Sequence, residues 1–183
     1  MSRPTPSGAV GWGLVAVAAA CLSAPEVALA LEPRFDHRDQ QGLLAELGVA
    51  RDSVVVGGLT NASYRPALRV AWGFDLSGEG DELQLGGTTR VGSWSDPLRV
   101  KCLYGVDARY RAYFGSEELK TFVEIGLWAN LASRLAFGGL AGIGLAYDPS
   151  RAWGLYAAAR FGGGYGEARI ASVSVGSGVQ LRW

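Results

Sequence analysis

From Ser172 to Trp183 the chain alternates: Val173, Val175, Ser177, Val179, Leu181 and Trp183 interleave with Ser172, Ser174, Gly176, Gly178, Gln180 and Arg182. A period of two places the bulky residues on one face of a β-strand and the small or polar ones on the other. A helix would scatter both sets around its axis. The pattern recurs in Leu68, Val70, Trp72, Phe74 and Leu76, set against Arg69, Ala71, Gly73 and Asp75. Between Leu98 and Phe114 the apolar set runs Leu98, Val100, Cys102, Tyr104, Val106, Ala108, Tyr110, Ala112, Phe114, opposite Arg99, Lys101, Asp107, Arg109 and Arg111. Further strands are predicted over Glu82–Val91, Lys120–Leu131, Leu135–Tyr147 and Trp153–Phe161. Gly78-Glu79-Gly80-Asp81, Gly115-Ser116-Glu117-Glu118 and Asp148-Pro149-Ser150-Arg151 supply turns between them. Connections this short join antiparallel neighbours.

Two segments compete for the first of eight strands. Gly42–Ala50 alternates, with Leu43, Ala45, Leu47 and Val49 against Glu46 and Gly48, and leaves Arg51–Pro66 as a long first loop. If that segment were a short helix, Ser53–Leu59 would take its place. We favour the first arrangement.

The faces indicate the surroundings. In a water-soluble barrel the apolar face points inward and the outer face is richly charged. Here the minor face is mostly Gly, Ala and Ser with scattered charges, which fits the narrow interior of a membrane barrel better than a solvated surface. The 27 glycines, about twice the usual share, agree with strands that bend and pack closely. Arg69, Arg99, Arg109, Arg111, Glu124 and Arg160 then fall in the lumen and fill it. A turn centred on Ser116–Glu117 would set Arg109 opposite Glu124; a shift of two residues would break that pairing. On the apolar face, Tyr110, Phe114, Tyr147, Trp153, Phe161 and Trp183 lie near strand ends, where membrane barrels carry aromatic girdles. The predicted fold is an all-β, antiparallel up-and-down transmembrane barrel of about eight strands.

The N-terminal segment differs in character. A start carrying Arg3, an apolar run from Ala9 to about Leu22 and Ala28-Leu29-Ala30 match a signal peptide covering residues 1–30, with the barrel domain over 31–183. The apolar run is shorter than the roughly 20 residues of a transmembrane helix. Ala18-Ala19-Ala20-Cys21 is a competing, loose match to a lipoprotein cleavage site, with Ala18 where Leu is usual. Either route exports the chain.

The stretch Gly176 to Trp183 resembles the terminal strand of bacterial outer-membrane β-barrel proteins, through Gly178, Leu181 and Trp183; Gly176 departs from the polar residue usual there. The segment Ala108–Leu127 is similar to a hairpin recurrent in small barrel families. The resemblance implies an eight-stranded barrel in the outer membrane, inserted by the outer-membrane assembly machinery and in contact with membrane lipid.

Catalytic chemistry finds little support. His37 is the only histidine and precedes the first strand, so no base stands beside a nucleophile on a rigid element. One His and Cys102 give no metal-ligand spacing, and Gly162-Gly163-Gly164-Tyr165-Gly166 lacks the residues of a phosphate loop. No cofactor is expected. With 17 basic and 17 acidic side chains the net charge is zero, which offers nucleic acid no attraction. The leading expectation is a non-enzymatic barrel with a structural role or a binding role through the Arg51–Pro66 and Gly162–Ile170 loops. The alternatives are a narrow channel or small hydrophobic-ligand transporter, and a soluble or lipid-anchored periplasmic barrel.

Overall fold

The computed structural model describes residues 40–76, 81–92, 102–115, 118–131 and 135–183. The expected signal peptide, Cys21, His37 and Arg99 lie outside those residues. Eight strands follow in order: β1 (Gln41–Val56), β2 (Leu59–Asp75), β3 (Glu82–Val91), β4 (Cys102–Phe114), β5 (Leu119–Asn130), β6 (Ala136–Tyr147), β7 (Trp153–Gly166) and β8 (Arg169–Arg182). Each pairs antiparallel with the next, and β8 pairs with β1 to close the barrel. The all-β, eight-stranded, up-and-down fold read from the alternation is the fold observed.

The stagger follows from the pairing. Leu44 pairs with Ala71, and the rung continues through Gly86, Asp107, Trp128, Gly138, Gly164 and Ile170 to Val54. One circuit therefore climbs ten residues along β1, from 44 to 54. Such a stagger requires strongly tilted strands, about 35–45° to the axis, and an eight-stranded barrel of this kind leaves only enough interior for its own side chains.

The first strand takes in Gly42–Ala50 and, of the second candidate, Ser53 to Val56. Gly42–Ala50 and nearly all of Ser53–Leu59 lie in one hairpin, so Arg51–Pro66 is not a long loop. Val56 pairs with Leu59 across Gly57-Gly58, whose φ values of 57° and 84° suit a type I′ turn, a conformation that favours Gly and, at its first position, also Asn. Asp52 and Arg65, within that expected loop, are buried in the lumen. The expected Gly162–Ile170 loop is likewise mostly strand, because β7 runs to Gly166 and β8 starts at Arg169. A second difference concerns the β4–β5 register. Arg111, not Arg109, pairs with Glu124, and Arg109 faces Gly126. Gly115, at a φ of 109°, leaves the extended conformation, and pairing resumes only at Phe114 with Thr121.

The two surfaces of the wall are inverted relative to a water-soluble protein. On β8, Val175 is 62 % exposed while Gln180 and Arg182 are buried at 5 % and 8 %. Exposed large hydrophobic residues cover the outside of all eight strands, and charged groups are prominent among the buried side chains. A soluble monomer rarely exposes an apolar patch above a few hundred Å². Outward aromatics form two belts. Trp72, Phe74, Tyr110, Phe114, Tyr147, Trp153 and Trp183 ring the end holding Gln41 and Trp183, called here the terminal end. Tyr64, Tyr104, Phe137 and Tyr165 ring the other, the hairpin end; Phe161 sits slightly below that belt. Tyr64 and Phe74 lie ten residues apart on β2, about 33 Å along the strand and roughly 25 Å along a tilted axis. That is the height of the apolar band of a transmembrane barrel.

Candidate functional site

The interior is the part of the molecule with concentrated chemistry. Lumen-facing positions come from alternate residues of each strand, so the polar face of every strand contributes. Around mid-height, Arg160 on β7 donates to Glu46 Oε1 at 2.5 Å and Oε2 at 2.7 Å, and its Nε donates to Glu124 on β5. Glu124 also accepts from Arg109 Nη1 at 3.5 Å and Arg111 Nη2 at 3.1 Å. Arg109 Nε reaches Asp107 at 2.8 Å, and Arg69 Nη2 reaches the same carboxylate at 2.6 Å. Four arginines (69, 109, 111, 160) thus interlock with Glu46, Asp107, Glu124 and, one step on, Glu82.

The network continues toward the terminal end. Arg69 donates to Gln84, Gln84 to Glu82, and Gln180 to the other oxygen of Glu82 at 2.9 Å. Arg182 donates to Gln180 and to Asp148, which also accepts from Lys120. The Arg111 guanidinium lies 4.1 Å from the Phe122 ring centroid and 4.8 Å from that of Tyr156, so aromatic faces cover what carboxylates do not. Tyr156 in turn donates to Glu46 at 3.0 Å. Toward the hairpin end, Asp52 accepts from Arg90 at 2.6 Å and lies 3.6 Å from Arg65. Above them an apolar cluster of Val54, Leu103, Ala136, Ala168 and Ile170 narrows the lumen.

Gly142 makes room for the centre of this arrangement. A β-carbon there would meet Arg160 Cγ and the Ala159 carbonyl oxygen at 2.8 Å, and Glu124 Cγ at 3.2 Å.

Of the six charged residues read from the sequence, Arg69, Arg109, Arg111, Glu124 and Arg160 are all buried in the lumen and joined in one network. Arg99 lies outside the described residues. Glu46, Glu82, Asp107, Gln84 and Gln180 belong to the network and were not singled out. Their signal was available: each sits on the minor face of its strand, and buried arginines need carboxylates at similar height. Gly178, Leu181 and Trp183 lie at the β8 end, where Trp183 packs edge-on against Trp72 at 5.1 Å. Among the described residues no group of three His, Cys, Asp or Glu side chains is placed to hold a metal ion.

No protein-family model and no curated protein matches the chain. Among solved structures, the chain is similar to Neisserial surface protein A, with 16 % identity and a TM-score of 0.58 over 77 % of this chain and 96 % of that one. It is also similar to the N-terminal β-barrel domain of Pseudomonas aeruginosa OprF, at 18 % identity and a TM-score of 0.51, over 78 % of this chain and 97 % of that one. At such identities the likeness concerns architecture alone. The chain has the closed, eight-stranded antiparallel fold of the bacterial outer-membrane barrels.

Proposed function

We propose that this protein is a non-enzymatic barrel of the bacterial outer membrane whose filled lumen makes it an envelope scaffold. The observation that carries the reading is the unbroken chain of polar contacts from Glu46 through Arg160, Glu124, Arg109, Asp107, Arg69, Gln84, Glu82, Gln180 and Arg182 to Asp148. Charges that neutralise one another across a narrow lumen hold the wall together and leave no open path. The two-residue turns at Gly57-Gly58 and Glu167-Ala168 favour support of the wall over binding through long loops. In this reading residues 1–30 are a signal peptide that is removed on export. Gly178, Leu181 and Trp183 form the segment recognised by the assembly machinery.

A narrow channel is the second reading, favoured by hollows beside Arg69, Arg90 and Arg109 on the hairpin side of the network. Planar-bilayer recording separates the two. The purified, heat-modifiable form is expected to insert without conductance steps, and reproducible unitary currents would overturn the scaffold reading. Recovery in the soluble periplasmic fraction would overturn the membrane location itself.

A further inference from the structure

The outside of the barrel carries almost no charge. Among the described strand residues, the outward positions are apolar, small or hydroxyl-bearing throughout, with Gln41 at the terminal edge, except for Arg51 on β1 and Arg169 on β8. Both exceptions are arginines, both are exposed, and they occupy neighbouring strands at the hairpin end. Arg51 pairs with Tyr64 on β2 and so sits level with the upper aromatic belt. The Arg169 guanidinium lies 5.8 Å from the Tyr165 ring centroid. Neither has a carboxylate partner among the described residues.

Between them the surface is low. Arg51 pairs with Val173 and Arg169 with Val55, which separates the two by about four residues, or roughly 13 Å along the strands. The intervening rung is Ser53, Ala171 and Gly163, so no side chain longer than serine rises from the floor. Two cations with free donors, at interfacial depth, bracketing a shallow shelf with a hydroxyl on it, complement an anionic headgroup lying flat against the wall. A disaccharide with a phosphate at each end spans a gap of this order, and its acyl chains would run down the apolar face below Arg51.

We propose that Arg51 and Arg169 form a docking site for a phosphorylated glycolipid of the leaflet that meets the hairpin end. The inference rests on the membrane reading above. Guanidinium groups hold phosphate oxygens at two points each, an advantage a single lysine lacks.

The test uses the full-length exported protein in phosphatidylcholine bicelles, titrated with fluorescently labelled bisphosphorylated lipid A. Formation of the heat-modifiable folded band in phosphatidylcholine alone tests the membrane reading separately; a chain that never inserts overturns both. With the folded protein, the Arg51→Gln/Arg169→Gln variant is expected to bind lipid A about thirtyfold more weakly, from roughly a fivefold loss per basic group near a charged surface. Its folded fraction in phosphatidylcholine should be unchanged. Arg151→Gln, which removes an exposed charge at the opposite rim, should bind like the parent. Phosphatidylglycerol at equal charge should compete poorly. Equal affinity of parent and double variant would overturn the site, as would an equal loss in Arg151→Gln or full competition by phosphatidylglycerol.

Discussion

Arg160 and Glu46, 114 residues apart in sequence, form a two-point ion pair inside the lumen at 2.5 and 2.7 Å. The pair ties β7 to β1, strands that share no ladder because β8 lies between them. It therefore acts as a brace over the inner face of β8, additional to the hydrogen bonds around the wall. Removing one partner leaves the other charge buried, a change that typically costs about 3–5 kcal/mol. Glu46→Gln is expected to destabilise the folded barrel by an amount of that order in urea unfolding from phosphatidylcholine vesicles. Because both positions serve one brace, Glu46→Gln/Arg160→Gln should cost clearly less than the two single losses added together. Strict additivity would show that the pair is not energetically coupled.

Glu124 makes a harsher case. It accepts from Arg109, Arg111 and Arg160, so Glu124→Ala removes a contact from three guanidinium groups; Arg109 keeps Asp107 and Arg160 keeps Glu46, while Arg111 loses its carboxylate. Loss of the heat-modifiable folded band is expected, and partial return when Arg111→Met, which removes the most buried of the three, is added. Unimpaired folding of Glu124→Ala would argue that water fills the lumen freely.

The lipid-facing assignment has a depth signature. Ile125 is 60 % exposed near the middle of β5, whereas Thr60 is exposed beside the β1–β2 turn. In a bilayer, Ile125→Arg should cost about 2–4 kcal/mol and Thr60→Arg close to zero. Equilibrium unfolding in vesicles would read the difference; a neutral Ile125→Arg would place that face in water.

Space at Gly142 is set by the ion pair beside it. Gly142→Ala forces its methyl against Arg160 and the neighbouring backbone, and a loss of about 1–3 kcal/mol is expected. Gly142→Leu should abolish the folded band, as followed by gel mobility with and without heating. Wild-type mobility for Gly142→Leu would mean that the Glu124–Arg160 contact is dispensable.

The β1–β2 turn asks for two left-handed residues. Gly57→Asn should be nearly silent, since Asn-Gly suits the same turn, while Gly57→Val should cost about 1–2 kcal/mol. Parity between the two variants would show that this turn does not hold its φ angles in the folded protein.

Much of this architecture was legible because alternation survives wherever one face meets a uniform medium. Glu82–Val91 coincides with β3, and the phase set by Val173 to Trp183 sorts β8 correctly into lipid-side and lumen-side residues. Legibility failed where two strand candidates were taken as exclusive, which left Arg51–Pro66 over as a loop. Asp52 and Arg65 fell within that segment, yet they are lumen positions of β1, which continues to Val56, and of β2, which starts at Leu59. The Gly57-Gly58 pair was the better turn signal. The β4–β5 register failed for a different reason: a connection can lengthen by two residues at a glycine such as Gly115 without disturbing which face any side chain occupies. The charged cluster emerged only in part, because sequence periodicity assigns a side chain to the lumen but not to a height. Glu46 and Arg160 meet through the stagger of the whole barrel, which no local window contains.

The lumenal charges also bear on the chain before it folds. A protein whose apolar strand positions are interrupted again and again by lumenal polar and small residues offers no long apolar run that a helix-handling membrane could retain, and mean hydropathy here is only +0.13. Arg69, Asp107, Arg109, Arg111, Glu124 and Arg160 break up strands that would otherwise be greasy enough to lodge in the first bilayer met. Their neutralisation waits for barrel closure, when distant strands bring the opposite charges together. In the membrane reading proposed above, the network in the lumen is a passport during transit and becomes a brace only at the destination.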